Sequence, residues 1–271
     1  MKREAALWVR TRFGVSERRA CRIVGLHRST LRYAAKDDGT ARLRKAIIKV
    51  AHDKPRYGYR RVLLSVRAHG FDVGIRRVRR IYAEEGLGVR RRLRRRLKPI
   101  VRRPMSPTVR PNQRWSMDFV HDQLADGRCI RDFAVIDDFT RESVALVVGV
   151  SLTSVDVAVA LAKSMAKRGA PESLVCDNGP EFRSAHMQRW AAERSIELQF
   201  IERGKPTQNA FAESFNGRFR DECLSINWFH SLADARRKIA AWRRHYNRHR
   251  PHSSLGNATP ANFHLAYLQA A

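Results

Sequence analysis

Positive charge is partitioned along this chain, and the partition limits what each part can fold into. Residues 1–113 hold 33 Lys and Arg against 8 Asp and Glu, a net of +25. Residues 114–271 hold 21 against 18, a net of +3, so nearly all of the formal +28 sits in the first part. A segment that basic repels itself when it condenses, unless a polyanion is its working partner. Nucleic acid is the partner this implies. The near-neutral remainder carries no such penalty, and with 43% apolar residues in the chain it can build a sizeable core.

The basic part reads as helices punctuated by glycine and proline. Ser16 can cap a helix over 17–24 that ends at Gly25, and a second helix fits 28–34. That order suits a helix-turn-helix, with His27, Arg28, Ser29 and Thr30 opening the recognition helix; a plain helical hairpin fits it too. Further helices are predicted over 41–52, 60–68 and 75–85, stopped by Pro55, Gly70 and Gly86. In the last, Ile75, Val78, Ile81 and Tyr82 share one face, while Arg76, Arg77, Arg79 and Arg80 take the others. Only Glu84 and Glu85 balance them, so the helix suits a DNA groove, and Arg28, Arg76, Arg77 and Arg80 are the expected contacts.

Residues 89–113 read as a linker. A basic run over 90–98 includes Arg94 and Arg95, both expected on phosphates, and Pro99, Pro104, Pro107 and Pro111 preclude a continuous helix after it. Binding through such a run carries no sequence preference and weakens steeply with salt. The expected organisation is therefore 1–38, 39–88, a linker at 89–113, a core over 114–225 and a C-terminal helix and tail over 226–271.

After residue 113 the pattern turns to strands and helices. Strands are predicted over 115–121, 129–136 and 143–150, a short buried one over 174–176 and another over 197–201. Helices are predicted over 154–167, 185–193, 209–223 and 232–246. Three strands in succession predict an antiparallel meander, and the alternation that follows predicts parallel additions. The expected class is α/β, a mixed five-stranded sheet covered by helices. Phe211, Phe215 and Phe219 recur at four-residue intervals and predict a packed helix face, with Glu213 on another side. Cys21, Cys129, Cys176 and Cys223 form no CxxC pair and read as buried apolar groups in a reducing compartment. No run of about 18 apolar residues exists, and the N-terminus lacks the apolar core of a signal peptide; a cytoplasmic, nucleoid-associated protein without a membrane partner is expected.

Several acids could build a metal site. Asp118 interrupts the apolar strand Trp115-Ser116-Met117-Asp118-Phe119-Val120, where an unpaired charge is unfavourable. Asp177 ends the apolar run Leu174-Val175-Cys176 just before Asn178-Gly179, and Glu213 lies in a helical segment. Asp137 and Asp138 also stand at a strand end and rival them. Carboxylate oxygens suit Mg²⁺, and two ions can serve an in-line phosphoryl displacement.

Spacing and context add a resemblance. Between Asp118 and Asp177 lie 58 residues, and between Asp177 and Glu213 lie 35. This resembles the acidic triad of retroviral integrases and many transposases. The segments around Asp118, Cys176-Asp177-Asn178-Gly179-Pro180-Glu181-Phe182, and Asn209-Ala210-Phe211-Ala212-Glu213-Ser214-Phe215-Asn216-Gly217 resemble motifs of the bacterial insertion-sequence family called IS-three, second reading frame. So do Tyr57-Gly58-Tyr59-Arg60-Arg61, Ser16-Glu17-Arg18-Arg19-Ala20-Cys21, and the stretch from Tyr246-Asn247-Arg248 through Pro251-His252 to Leu255-Gly256. The likeness covers nearly the whole chain, with each motif in order.

The resemblance implies an RNase H-like core behind helical DNA-binding segments, with Asp118, Asp177 and Glu213 holding two Mg²⁺ ions, or Mn²⁺ as a substitute. It implies a basic residue seven positions after the glutamate, here Arg220, near the scissile phosphate; Arg218 competes for that role. It implies DNA cleavage and strand transfer by direct transesterification, acting on element ends and target, and a homo-oligomer on DNA. It also implies a first-reading-frame protein or fusion partner. A DNA-binding regulator, an inactive descendant and an RNase H-type nuclease are the alternatives.

Overall fold

The computed structural model describes residues 1–33, 39–89, 106–202 and 206–270. Arg94 and Arg95, with the basic run around them, lie outside the described residues. The chain divides into two compact units, residues 1–47 and 48–271.

In the first unit, α1 (Lys2–Phe13), α2 (Glu17–Val24) and α3 (Arg28–Arg32) close around Ala6, Cys21 and Leu31, with Val24 and Leu26 packed against them. Ser16 caps α2 by accepting from the Arg19 N–H, and Gly25 at φ 61° ends it in the left-handed region that favours glycine. The second helix is shorter than the sequence predicts and ends at Arg32. Helix α4 (Thr40–Asp53) follows.

In the second unit, α5 (Tyr59–Ala68) and α6 (Ile75–Glu84) pair through Val62, Val66, Val78 and Ile81, all of them buried. The expected apolar face of α6 holds for Val78, Ile81 and Tyr82 but not for Ile75, which is 43% exposed at the first turn. Strands β1 (Arg114–Gln123), β2 (Cys129–Asp137) and β3 (Ser143–Gly149) form the antiparallel meander. Helix α7 (Ser154–Arg168) crosses to β4 (Ser173–Cys176), and α8 (Pro180–Arg183) with α9 (Ala185–Ala192) crosses to β5 (Glu197–Phe200). The strand order is β3-β2-β1-β4-β5, with β4 parallel to β1 and β5 parallel to β4. This is the mixed five-stranded sheet expected from the alternation, and such parallel additions need a crossover helix.

Strand alternation divides the core in two. Trp115, Met117, Phe133, Val135, Leu174 and Cys176 face α7 and α9. Val120, Ile130, Ala134, Ile136 and Val148 face the other way, toward α10 (Ala210–Glu222) and α11 (Leu232–Arg248). On α10 the packed side runs Ala212, Phe215, Asn216, Phe219. Phe211 is only half-buried, contrary to the four-residue pattern, and lies under the Arg141 guanidinium at 3.8 Å. Cys129 is exposed at the first position of β2, whereas Cys21, Cys176 and Cys223 are buried. Helix α12 (Pro260–Ala270) closes the chain, with Phe263 and Tyr267 against Phe139. Among the described residues no helix is long and apolar enough to cross a membrane.

Candidate active site

The two central parallel strands bring the first two acids together. The pairing of β1 with β4 ends at Ser116 opposite Val175. Two residues further along come Asp118, within β1, and Asp177, one residue past the end of β4, so both acids stand at the C-terminal edge of the parallel pair, and the charge of Asp177 acts on Asp118. The face of β1 that carries Asp118 is the one covered by α10. Open α/β sheets place ligand crevices at this edge.

Helix α10 is fastened to β1 by amides. The Asn209 side chain donates to the Met117 carbonyl at 3.0 Å, and Asn216 donates to Asp118 Oδ2 at 2.8 Å. The Phe119 N–H donates to the other oxygen at 2.8 Å. Glu213 lies on the same helix, exposed, and its charge reaches Asp118. Burial pushes the Asp118 carboxyl up to about 6; the charges of Asp177 and Glu213 add to the rise, against the Phe119 and Asn216 hydrogen bonds. The field of both other acids is therefore felt at Asp118. Among the described residues, no three His, Cys, Asp or Glu side chains form a ready-made metal cage.

At Asp177 the chain turns tightly. The Gly179 N–H donates to Asp177 Oδ1 at 2.9 Å, and Asn178 pins the turn to the Ile201 carbonyl at 2.7 Å. A Cβ on residue 179 would stand 3.0 Å from that same Asp177 oxygen, so glycine here lets the carboxylate keep its place.

The rival acids serve other ends. Asp137, fully buried, accepts from the Asn112, Phe139 and Thr140 N–H groups at 2.8, 2.9 and 2.8 Å. Asp138 takes the Arg114 guanidinium at 2.6 Å. Asp137 uses Oδ1 on the turn after β2 and Oδ2 on the Asn112 N–H, and Asp138 holds the start of β1 through Oδ2 alone; both act as structural pins.

The predicted basic residues are distributed. Arg220 is exposed, two turns after Glu213, and its charge acts on Asp132. Arg218 is exposed too, but its charge acts on Glu222 and His252, away from the acids. Arg76 and Arg80 are exposed on α6, Arg80 3.6 Å from Glu84, and Arg77 is half-buried. Arg28 lies 3.3 Å from Glu17.

Sequence reading missed Asn209, Asn216 and Asp132 as parts of this region. The two asparagines are seven apart, two helical turns, and a polar side chain on the packed side of a helix was the available signal. Asp132 is on β2, opposite Val120 on the α10 face. It is fully buried, and neither carboxylate oxygen has a hydrogen-bond partner. Burial pushes its carboxyl up to about 7, and the Asp122 charge adds to this against that of Arg220. A raised carboxyl favours the folded state least when ionised. Its penalty is absent below the ordinary aspartate range and complete above about 7. Asp132→Val is expected to stabilise the protein by about 1–3 kcal/mol at pH 8 and by much less at pH 4, read by thermal melts. An equal gain at both would show that no ionised, uncompensated carboxylate is involved.

Comparison with known proteins agrees with this architecture. Residues 108–206 and 194–260 match family models described as Integrase core domain, and residues 39–96 match one described as HTH-like domain. The chain is 45% identical over 256 residues to the uncharacterized 31.7 kDa protein of insertion element IS407 from Burkholderia multivorans, covering 94% of this chain and 92% of that one. It is 44% identical over 268 residues to the uncharacterized 39.2 kDa protein of insertion element IS476 from Xanthomonas euvesicatoria, covering 98% and 77%. Among solved structures, a chain of the simian T-cell lymphotropic virus intasome matches with a TM-score of 0.51 at 16% identity, over 80% of this chain and 74% of that one. At that identity the likeness is one of fold.

Proposed function

The chain belongs to the IS-three family of insertion-sequence transposases, polynucleotidyl transferases with an integrase core, and from that premise we propose that Asp118, Asp177 and Glu213 form its reaction centre. The observation that supports the assignment is that Asp118 and Asp177 both follow the paired ends of β1 and β4, with the charges of Asp177 and Glu213 acting on the Asp118 carboxylate. An all-carboxylate donor set suits hard divalent ions, two Mg²⁺ or Mn²⁺ in this reading. Bound there, they would supply charge stabilisation at the phosphate under attack.

The chain's own residues set the geometry. Asn216 orients Asp118, Asn209 fixes the start of α10 against β1, and Gly179 holds Asp177 in its turn. Arg220, two turns beyond Glu213, offers a guanidinium to a DNA phosphate. In the first step water attacks a phosphodiester at the element's end; one P–O bond forms, one breaks, and a 3′-hydroxyl leaves. In the second, that hydroxyl attacks a target phosphodiester and releases another. No covalent protein–DNA intermediate is required. Arg28, Arg76, Arg77 and Arg80 contact duplex, and Arg94 and Arg95 contact phosphates. Pairing of two ends calls for a homo-oligomer, with a first-reading-frame protein or fusion as partner.

The test is a strand-transfer assay. Purified protein, Mg²⁺ and a duplex bearing the element's terminal sequence are incubated with supercoiled plasmid, and joined products are sought. Joining abolished by EDTA is expected. Cutting without joining would replace this reading with that of a nuclease.

A further inference from the structure

Two sequence motifs lie outside the acid site, and both close on one side chain. Glu222, the last residue of α10, accepts at Oε1 from Arg61 at 3.0 Å and from Arg250 at 2.7 Å, and at Oε2 from Arg250 Nε at 2.7 Å. Arg61 belongs to the segment Tyr57-Gly58-Tyr59-Arg60-Arg61 that opens α5; Arg250 follows α11 in the stretch ending at Gly256. The Glu222 side chain is 9% exposed and that of Arg250 3%. Each guanidinium also lies over a tyrosine ring, Arg61 over Tyr57 at 5.4 Å and Arg250 over Tyr246 at 5.6 Å. Burial alone would raise the Glu222 carboxyl. The Arg250 hydrogen bonds, with the charges of Arg250, Arg61 and Arg218, outweigh burial and hold it below its ordinary value.

Arg250 by itself satisfies Glu222, since its fork takes both oxygens and balances the charge. The second guanidinium therefore adds positive charge beyond what Glu222 balances, on a side chain that is 28% exposed. Burial, and next the charge of Arg250, push the Arg61 guanidinium below its ordinary value. A purely structural pin does not need Arg61. What Arg61 does is connect. On its own side, the Tyr82 hydroxyl of α6 donates to the Tyr57 carbonyl at 2.9 Å, so α5 and α6 are linked at the same place. On the other side, α10 carries Asn216 and Glu213 six and nine residues before Glu222. A helix transmits displacement along its length, so a shift of α5 and α6 is felt at both.

We infer that Arg61 and Glu222 are positioning residues for the transposition reaction: they register duplex held by α5 and α6 to the acids on β1, after β4 and on α10, and so fix which phosphodiester is cut. The inference rests on the reading of Asp118, Asp177 and Glu213 as the reaction centre.

The experiment uses the full chain with Mg²⁺ and two duplexes of equal length, one carrying the element's terminal sequence and one scrambled. Binding is followed by fluorescence anisotropy, and cleavage positions are read on sequencing gels. Arg61→Ala is expected to bind the end duplex within about threefold of the parent, yet to cut over a spread of positions with end selectivity down about tenfold. Arg61→Lys, which can replace the single N–H contact, should regain the main cut position. Should the alanine variant not fold, Arg61→Gln takes its place and the same readouts apply. An unchanged cut position and selectivity would overturn the inference; so would an equal loss on both duplexes that follows the fall in Tm. The parent reading fails separately, through retained cleavage by Asp177→Asn, whatever Arg61 does.

Discussion

Asp177→Asn is expected to bind end-bearing duplex as tightly as the parent, and to cleave it more slowly by on the order of a thousandfold or more. The exchange is close to isosteric. An asparagine Oδ1 can still accept the Gly179 N–H that holds the turn at 2.9 Å, so the backbone has no reason to move. What is lost is one negative charge beside Asp118. Stability should hold or rise slightly, because Asp177 and Asp118 repel each other. Binding should hold because the positive excess lies in the first 113 residues, not in the core. Matched anisotropy, melting and cleavage measurements separate the three effects. Cleavage at parental rate would remove Asp177 from the reaction centre. A joint loss of binding and melting temperature would make it a structural residue.

Phe219→Ala carries the second large effect, on folding. Phe219 is fully buried on α10, with ring centroids 6.1 Å from Phe215 and 5.0 Å from Trp242. Truncation removes transfer free energy and leaves a cavity among rigid rings, which costs about 3–5 kcal/mol. For a body this size each kcal/mol shifts Tm by about 2–4 °C, so a drop of roughly 6–20 °C is expected by calorimetry. Cleavage should fall as well, since Asn216 and Glu213 share the loosened helix. Phe219→Leu should lose much less. A loss under about 1 kcal/mol for the alanine variant would mean that α10 is held by its amide anchors and not by its apolar side.

How much was legible in the sequence follows from the range of each interaction. The strands announced themselves because both faces of the central ones are covered, leaving near-continuous apolar runs such as Leu174-Val175-Cys176. Asp118 and Asp177 could be singled out as candidates because a charge within or ending such a run is anomalous. The four-residue α8 was not, since it adds no period of its own. Phe211 was misjudged because four-residue spacing drifts around a helix; the packed side steps by three to Phe215 from Ala212 and then by four to Phe219. Asn216 was legible only as a polar side chain on a packed helix side; its partner was not, because Asp118 lies 98 residues away. Glu222 was equally silent, its partners lying 161 and 28 residues away in chains of arginines that look alike.

The face of the sheet that carries Asp118 is covered by two late helices, α10 and α11. Val120, Ile130, Ala134, Ile136 and Val148 have no apolar cover until Phe215, Phe219, Ile239 and Trp242 arrive. At ordinary translation speeds of about 5–20 residues per second, the hundred or so residues between β3 and the end of α11 take roughly 5–20 s to emerge. A nascent molecule thus passes through an adhesive stage, and a ribosome that stalls within this window yields an aggregation-prone fragment.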